Sequence, residues 1–459
     1  MGLKPGLEAY RNPSDQTNLW YKNDNTWNQV VSGGLILGAL AVGEDFPDLK
    51  NNIIYNTIKN LVPSIDLYQR DGVWYEGFER GQYATSFLAM MLSSLNSSLE
   101  HDFGLSQRPG VDKTASYYVN SISPSGALYN YGDTDPSMPT LTSFLFWASK
   151  HYYKPEVAGF HKGLLKNRIS AGTPSYMAER DRLFYLSLAW FDDSNSKANA
   201  KARAQAFRGP IDVLVLQGSA RDGDGIYLAA KGGKATLGHQ QLDAGSFVID
   251  AQGERWGIEL GTENPNLPGI KDDGAVGRRW NYYRNTNKSH NTLVIGDALQ
   301  DPNGQSTITE LNDADEQPFG IFDLTEAYKG TESMKRGFRL LSNDRMLVRD
   351  EINFEGNSQK VRWAMITDAK VELVGDKAIL SKRGKRFFVQ AFAEQSVRFE
   401  AEEAKAYHEK ANSNSGKTVL FFELNSRSTL NGINISVVFG NDLSNLSKTM
   451  VDSKLDNWP

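Results

Sequence analysis

Four side chains in the middle of the sequence are of the types that acid/base or metal chemistry requires: His239, Asp243, Glu259 and His290. Two of the six histidines fall in this region, in "GHQQLD" and "KSHNTLVI", each beside polar neighbours. A single histidine is most simply a hydrogen-bonded packing residue. Two histidines and two carboxylates on neighbouring strands open two further readings, a metal site with nitrogen and oxygen ligands or an acid/base centre with carboxylate orienters. Cysteine is absent, which excludes disulfides, thiolate ligands and a thiol nucleophile.

The elements that must position these residues read as strands. "LGHQQLDAGSFVIDAQGERWGIELG", residues 237–261, alternates with Phe247 and Ile249 on one face and Val248 and Asp250 on the other. A turn at Gln252 and Gly253 joins the halves. His239 and Asp243 stand ahead of the first strand, where Asp243 is expected to shape the turn before Gly245 through Asx-type hydrogen bonds. Glu259 closes the second strand. From "GPIDVLVLQG" onward the same period of two recurs in short Val-, Ile- and Phe-rich runs such as "DRMLVRDEINF", "KVRWAMITD" and "INISVVFGN". Up to about residue 205 the apolar spacing is helical instead, as in "WNQVVSGGLILGALAVGED" and "QYATSFLAMMLSSLNSSL". The reading is an α+β multidomain chain, with a helical domain over 1–205 and an antiparallel β-sandwich over 206–459. The polar segment "DDSNSKANAKARAQAF" is the expected linker.

Composition narrows the function. A chain of 459 residues exceeds one ordinary core, so two domains are expected. Fifty basic against 55 acidic residues leave a formal charge of -5 and no long basic run, which argues against nucleic acid as a partner. Aromatic residues make up 11%, and several stand beside Gly, Asn and Asp, a placement that suits a groove where sugar rings stack. No apolar run reaches the roughly 20 residues of a membrane span, and the first twenty residues carry no apolar signal region.

Over residues 239 to 295, "GHQQLDAGSFVIDAQGERWGIELG" followed by "GRRWNYYRNTNKSHNTLVIG" resembles the signature region of the heparinase II/III-like polysaccharide lyases. "NTWNQVVSGGLILGAL", "GVWYEGF" and "YNYGD" resemble motifs of that family's helical part. The resemblance implies an incomplete (α/α) toroid followed by an antiparallel β-sandwich, and cleavage of an acidic polysaccharide at a uronic acid by β-elimination. A periplasmic or secreted location follows from it. So does an absent N-terminal part or an open toroid, because a full ring of helices needs about 300 residues at usual element lengths.

The resemblance also assigns roles. His239 matches the histidine that begins the family's "H-x-H-x-D" pattern and is the first catalytic candidate. Asn28, or Asn25, stands where the family neutralises the substrate carboxylate, although a short polar residue there also looks like a helix cap. The family's tyrosine position is taken by Arg80, with Tyr83 one turn further on; Tyr282 and Tyr283 are the next phenols, and Arg80 is an alternative carboxylate clamp. Arg284, with Arg278 and Arg279, is a candidate for carboxylate binding, and Trp27, Trp74 and Trp280 for sugar platforms. The family's structural zinc corresponds to Gln241, Glu259 and His290, so one divalent metal, zinc or a harder cation, is expected there unless Glu259 simply orients His290. A glycosidase using Glu76 and Asp133, or a non-catalytic glycan-binding protein, are the rival functions.

Overall fold

The computed structural model describes residues 2–12, 19–137, 142–170, 183–194, 204–218, 225–313, 317–356, 359–425, 432–446 and 451–458. Most of the segment read as a linker, 195–203, lies outside them. The chain divides into two compact units, one of residues 1–119 and 137–199 and a second of 120–136 and 200–459. The expected division ran simply from 1–205 to 206–459; in the structure the short stretch 120–136, with its "YNYGD" motif, belongs to the β-rich unit.

The first unit is helical. Its described helices include α1 (Leu3–Arg11), α2 (Thr26–Ala41), α3 (Pro47–Ile65), α4 (Phe78–Leu99), α5 (Thr114–Asn120), α6 (Phe144–His151) and α7 (Pro155–Ser170). Helix α2 begins where two acceptors meet its orphan N–H groups. The Asn25 side chain accepts from Trp27 N, and the Glu76 carboxylate accepts from Thr26 N at 2.7 Å. An anion there also complements the positive end of the helix dipole. Leu35, Ala39 and Ile53 close the apolar contact between α2 and α3. Tyr68 bonds Gln29 of α2 and Thr85 of α4 at 3.1 and 2.8 Å, so a single buried phenol ties two helices.

His161 on α7 is fully buried, edge-on to Phe146 of α6, and neither ring nitrogen has a hydrogen-bond partner among the described residues. Burial pushes its pKa from 6.5 down to about 3. The unfolded chain therefore binds a proton that the folded chain refuses, and stability is lost as pH falls from about 6.5 towards 3. Each pH unit in that window costs about 1.4 kcal/mol. We expect His161→Phe to raise the thermal midpoint at pH 5 while moving it little at pH 8; equal shifts at both pH values would show that the histidine does not titrate on unfolding.

Among its described residues, the second unit contains three antiparallel sheets. The first is a five-stranded meander: β1 (Ala204–Phe207), β2 (Val213–Gln217), β3 (Tyr227–Lys231), β4 (Phe247–Ala251) and β5 (Glu254–Gly257). Gln252 and Gly253, at φ 55° and 70°, make the tight turn between β4 and β5, and glycine takes such angles at little cost. A second sheet has eight strands and a third has four, built from β6 (Leu293–Ile295), β7 (Thr307–Asn312), β8 (Phe319–Asp323), β9 (Thr331–Ser342), β10 (Arg345–Phe354), β11 (Lys360–Thr367), β12 (Lys370–Val374), β13 (Lys377–Lys382), β14 (Lys385–Ala393), β15 (Glu400–Glu403), β16 (Thr418–Asn425) and β17 (Gly432–Gly440). Their orders are β12-β13-β14-β17-β10-β9-β8-β7 and β15-β16-β11-β6.

All three sheets share one apolar core. Trp256 of β5 stacks on Phe387 of β14 at 5.3 Å, and Trp363 of β11 stacks on Phe422 of β16 at 5.5 Å while tilting against Phe439 of β17. On β4 the alternation works as read: Phe247, Ile249 and Ala251 enter this core. The opposite face is covered as well, because Asp250 accepts from Ser123, Ser125 and Arg255 of the unit's own segments.

Candidate functional site

His239 lies on the loop between β3 and β4, with a side chain 31% exposed and a backbone φ of 63°. Its Nδ1 is 3.1 Å from Asp133 Oδ2, and its carbonyl accepts from the Asp133 N–H at 3.0 Å. Asp133 Oδ1 in turn accepts from Gln241 Nε2 and Arg279 Nη2, each at 3.0 Å. Burial alone would raise the Asp133 pKa; the bond to His239 and the charge of Arg279 outweigh it and hold the carboxyl below its usual range. An ionised carboxylate beside a half-exposed imidazole is an arrangement able to accept and return a proton.

A second polar layer is buried in the same unit. His290 Nδ1 donates to Glu259 Oε2 at 2.6 Å, and Ser246 donates to the other Glu259 oxygen. Although burial disfavours the imidazolium, the adjoining Glu259 charge raises the His290 pKa. Lys231 pairs with Asp243 at 2.5 Å, both almost fully buried. This corrects the role expected of Asp243. Its backbone carbonyl, not its side chain, accepts the turn's bond from Ser246, and the carboxylate is the counter-ion of a lysine that ends an apolar strand.

For the metal expected from Gln241, Glu259 and His290, the geometry shows these side chains in another arrangement. A shared ion needs each ligand atom about 2.0–2.2 Å from the metal. The carboxylate and the imidazole instead meet directly across a hydrogen bond, and the Gln241 amide is turned onto Asp133. Among the described residues, no group of three or more His, Asp or Glu side chains is placed to hold an ion. We expect a strong chelator to leave the thermal midpoint unchanged; a loss of stability reversed by added zinc would show that the pair opens around a metal.

Signature residues downstream of His239 serve mainly as brackets. Asn291 donates to Phe247 O and Ile258 O and accepts from Ile366 N, which joins the five-stranded and four-stranded sheets. Arg284, expected at substrate, places its guanidinium on Leu260 O, Thr262 O, Ser413 O and Asn414 Oδ1. Tyr282 donates to Pro268 O. Tyr283 is buried, its pKa raised by desolvation, and it lines a surface cleft with Lys288, Arg362 and Tyr407. Trp280 is buried under Arg279 and donates to Gly274 O.

In the helical unit, Asn28 is buried at the start of α2, and its amide donates to the carbonyls of Tyr21, Asn23 and Asn60 while its oxygen accepts from Ser32. That amide is spent within the fold, so it does not stand ready for a substrate carboxylate. Asn25 is half-buried and caps α2. Glu76 is buried under Thr26 and Trp74, and Trp74 itself is fully buried, which fits neither a glycosidase acid nor a sugar platform. Trp27 is 52% exposed and Tyr83 38% exposed, edge-on to Phe87; Arg80 is half-buried, three residues before Tyr83 on α4.

Comparison with known proteins bears mainly on the β-rich unit. The family model described as heparinase II/III-like, C-terminal, matches residues 214–431. No curated protein gives a significant match. Among solved structures, a heparinase III gene product with methylated lysines resembles the chain with a TM-score of 0.66 at 14% identity, covering 95% of this chain and 61% of that one. A heparan sulfate lyase from Pedobacter heparinus does so with a TM-score of 0.61 at 13% identity, covering 89% and 59%. The chain thus spans about three fifths of the length of these two, and at such identity the likeness speaks for the fold alone. Residues 214–431, which include the partly exposed His239, are thus similar to the C-terminal domain of the heparinase II/III-like family.

Proposed function

We propose that the protein is a polysaccharide lyase that cleaves a uronic-acid-containing polysaccharide by β-elimination, on an incomplete (α/α) toroid followed by a β-sandwich, in the periplasm or outside the cell. The observation that carries this reading is the His239–Asp133 pair on a heparinase-like domain. No described helix is long and apolar enough to cross a membrane. The chemistry accounts for the residue types. The hydrogen on carbon 5 of a uronate is made acidic by the neighbouring carboxylate, and a base takes it as a proton. The electron pair left on carbon 5 forms a double bond to carbon 4, the bond from carbon 4 to the bridging oxygen breaks, and that oxygen leaves with a proton. His239 and the Tyr83 phenol are the proposed proton-exchanging groups. Asn25, rather than Asn28, is the proposed amide for the uronate carboxylate.

The test is incubation with a panel of uronate polysaccharides, heparan sulfate among them, while ultraviolet absorbance of the unsaturated product is followed. Absorbance gain supports elimination. New reducing ends without it would establish hydrolysis, and binding without cleavage a non-catalytic role.

Tyr83→Phe removes one hydroxyl and keeps the ring contact with Phe87 at 5.0 Å. We expect turnover to fall by roughly 10²-fold or more with an unchanged thermal midpoint. Near-normal turnover would remove the phenol from the mechanism. Tyr282 is a poor substitute, since its hydroxyl is already committed to Pro268 O.

A further inference from the structure

We infer that Asp133 is the positioning residue of His239: it clasps the histidine at backbone and ring together, and fixes the tautomer in which Nδ1 carries the hydrogen. The inference rests on the proton exchange proposed for His239. Its own evidence is conformational. A non-glycine residue at φ 63° sits in a sparsely populated region and stays there only when its surroundings hold it. Here the hold is reciprocal, the Asp133 N–H on the His239 carbonyl at 3.0 Å and the His239 ring on the Asp133 carboxylate at 3.1 Å. The approach also depends on the preceding residue. Gly132, at φ 60°, lies so close that a Cβ there would come within 2.7 Å of the His239 carbonyl oxygen.

The tautomer follows from the acceptor. An ionised carboxylate can only accept, so the ring nitrogen facing it must bear the hydrogen. With Nδ1 so committed, proton exchange with substrate runs through Nε2. Gln241 and Arg279 complete the device by occupying the other Asp133 oxygen. They hold the carboxylate in one orientation, and Arg279, 3% exposed, supplies the cation that keeps it ionised in a largely buried place. Thus a guanidinium that reads in sequence as a substrate clamp is used on the chain's own acid. The carboxylate it holds comes from a segment far upstream.

The experiment is nitrogen-15 NMR of the full-length protein with labelled histidine imidazoles, His239 being assigned by comparison with His239→Ala. We expect the neutral His239 ring to be the Nδ1–H tautomer in the wild type, and Asp133→Asn, whose amide can also donate, to shift it towards Nε2–H. On the substrate found by the panel above, Asp133→Asn should lower kcat by roughly 10²- to 10⁴-fold with KM within about threefold. A merely structural aspartate would lower the amount of folded enzyme without moving the tautomer. A wild-type ring in the Nε2–H form, or an Asn variant that keeps Nδ1–H and normal kcat, would overturn the inference. Because the resting tautomer is read without substrate, a protein that cleaves none of the polysaccharides would sink the proposed function while the spectrum still shows whether Asp133 sets the ring's tautomer.

Discussion

His239→Ala is expected to lose roughly 10²- to 10⁴-fold in turnover, equivalent to about 3–5 kcal/mol of barrier, while remaining folded. The two halves of that expectation have separate causes. Turnover falls because the other histidine of the signature region, His290, is buried against Glu259 and cannot take the place of His239. Folding survives because the ring is 31% exposed and its bond to Asp133 is itself partly exposed, a matter of about 1 kcal/mol. His239→Gly refines the test, since glycine accepts the φ of 63° without strain. It should be as inactive as the alanine variant and slightly more stable. Unsaturated product formed at near-normal rate by either variant, in a protein with demonstrated lyase activity, would show that another group takes the proton.

What the sequence reveals of this site, and what it hides, follows from the range of the interactions involved. The β4–β5 hairpin is legible because its determinants are adjacent residues, an alternating apolar pattern and a Gln-Gly turn that tolerates positive φ at both positions. His239 is legible because its motif is local. The pairing of Asp133 with it is not, since the carboxylate reaches His239 across 106 positions of sequence from a loop that no periodicity marks. Polar residues that must satisfy buried backbone groups mislead in the same direction. Asn28, Glu76 and Arg284 all look like substrate-binding side chains in a linear reading, and all three spend their hydrogen bonds inside their own unit. The Lys231–Asp243 pair is hidden for a related reason: a lysine at the end of "YLAAK" reads as a solvated strand terminus until the fold closes over it. Hydrophobic periodicity reports which face is buried, and it is silent about which polar groups go in with it.

Arg336→Met is the substitution expected to cost the β-rich unit most, about 3–5 kcal/mol, because it strands a buried charge. Arg336 and Asp350 are fully buried on paired strands β9 and β10, joined through two parallel bonds of 2.6 and 2.9 Å. Methionine fills much of the space left by the arginine stem, so little packing is lost. Most of the destabilisation comes from the Asp350 carboxylate, left in the core with no cation beside it. A further loss falls on the site's own supports, because Arg336 Nη1 donates to Gly245 O at 2.8 Å and to Asn291 O at 2.9 Å. Those carbonyls belong to the turn leading into β4 and to the bracket that joins two sheets. The variant should therefore unfold at lower urea concentration and at lower temperature than wild type. Arg336→Met combined with Asp350→Leu should recover part of the stability, since the stranded charge is gone although the two carbonyls still lack a donor. A double variant no more stable than Arg336→Met would locate the cost in those two carbonyls rather than in the charge, and a single variant within about 1 kcal/mol of wild type would show that water reaches Asp350.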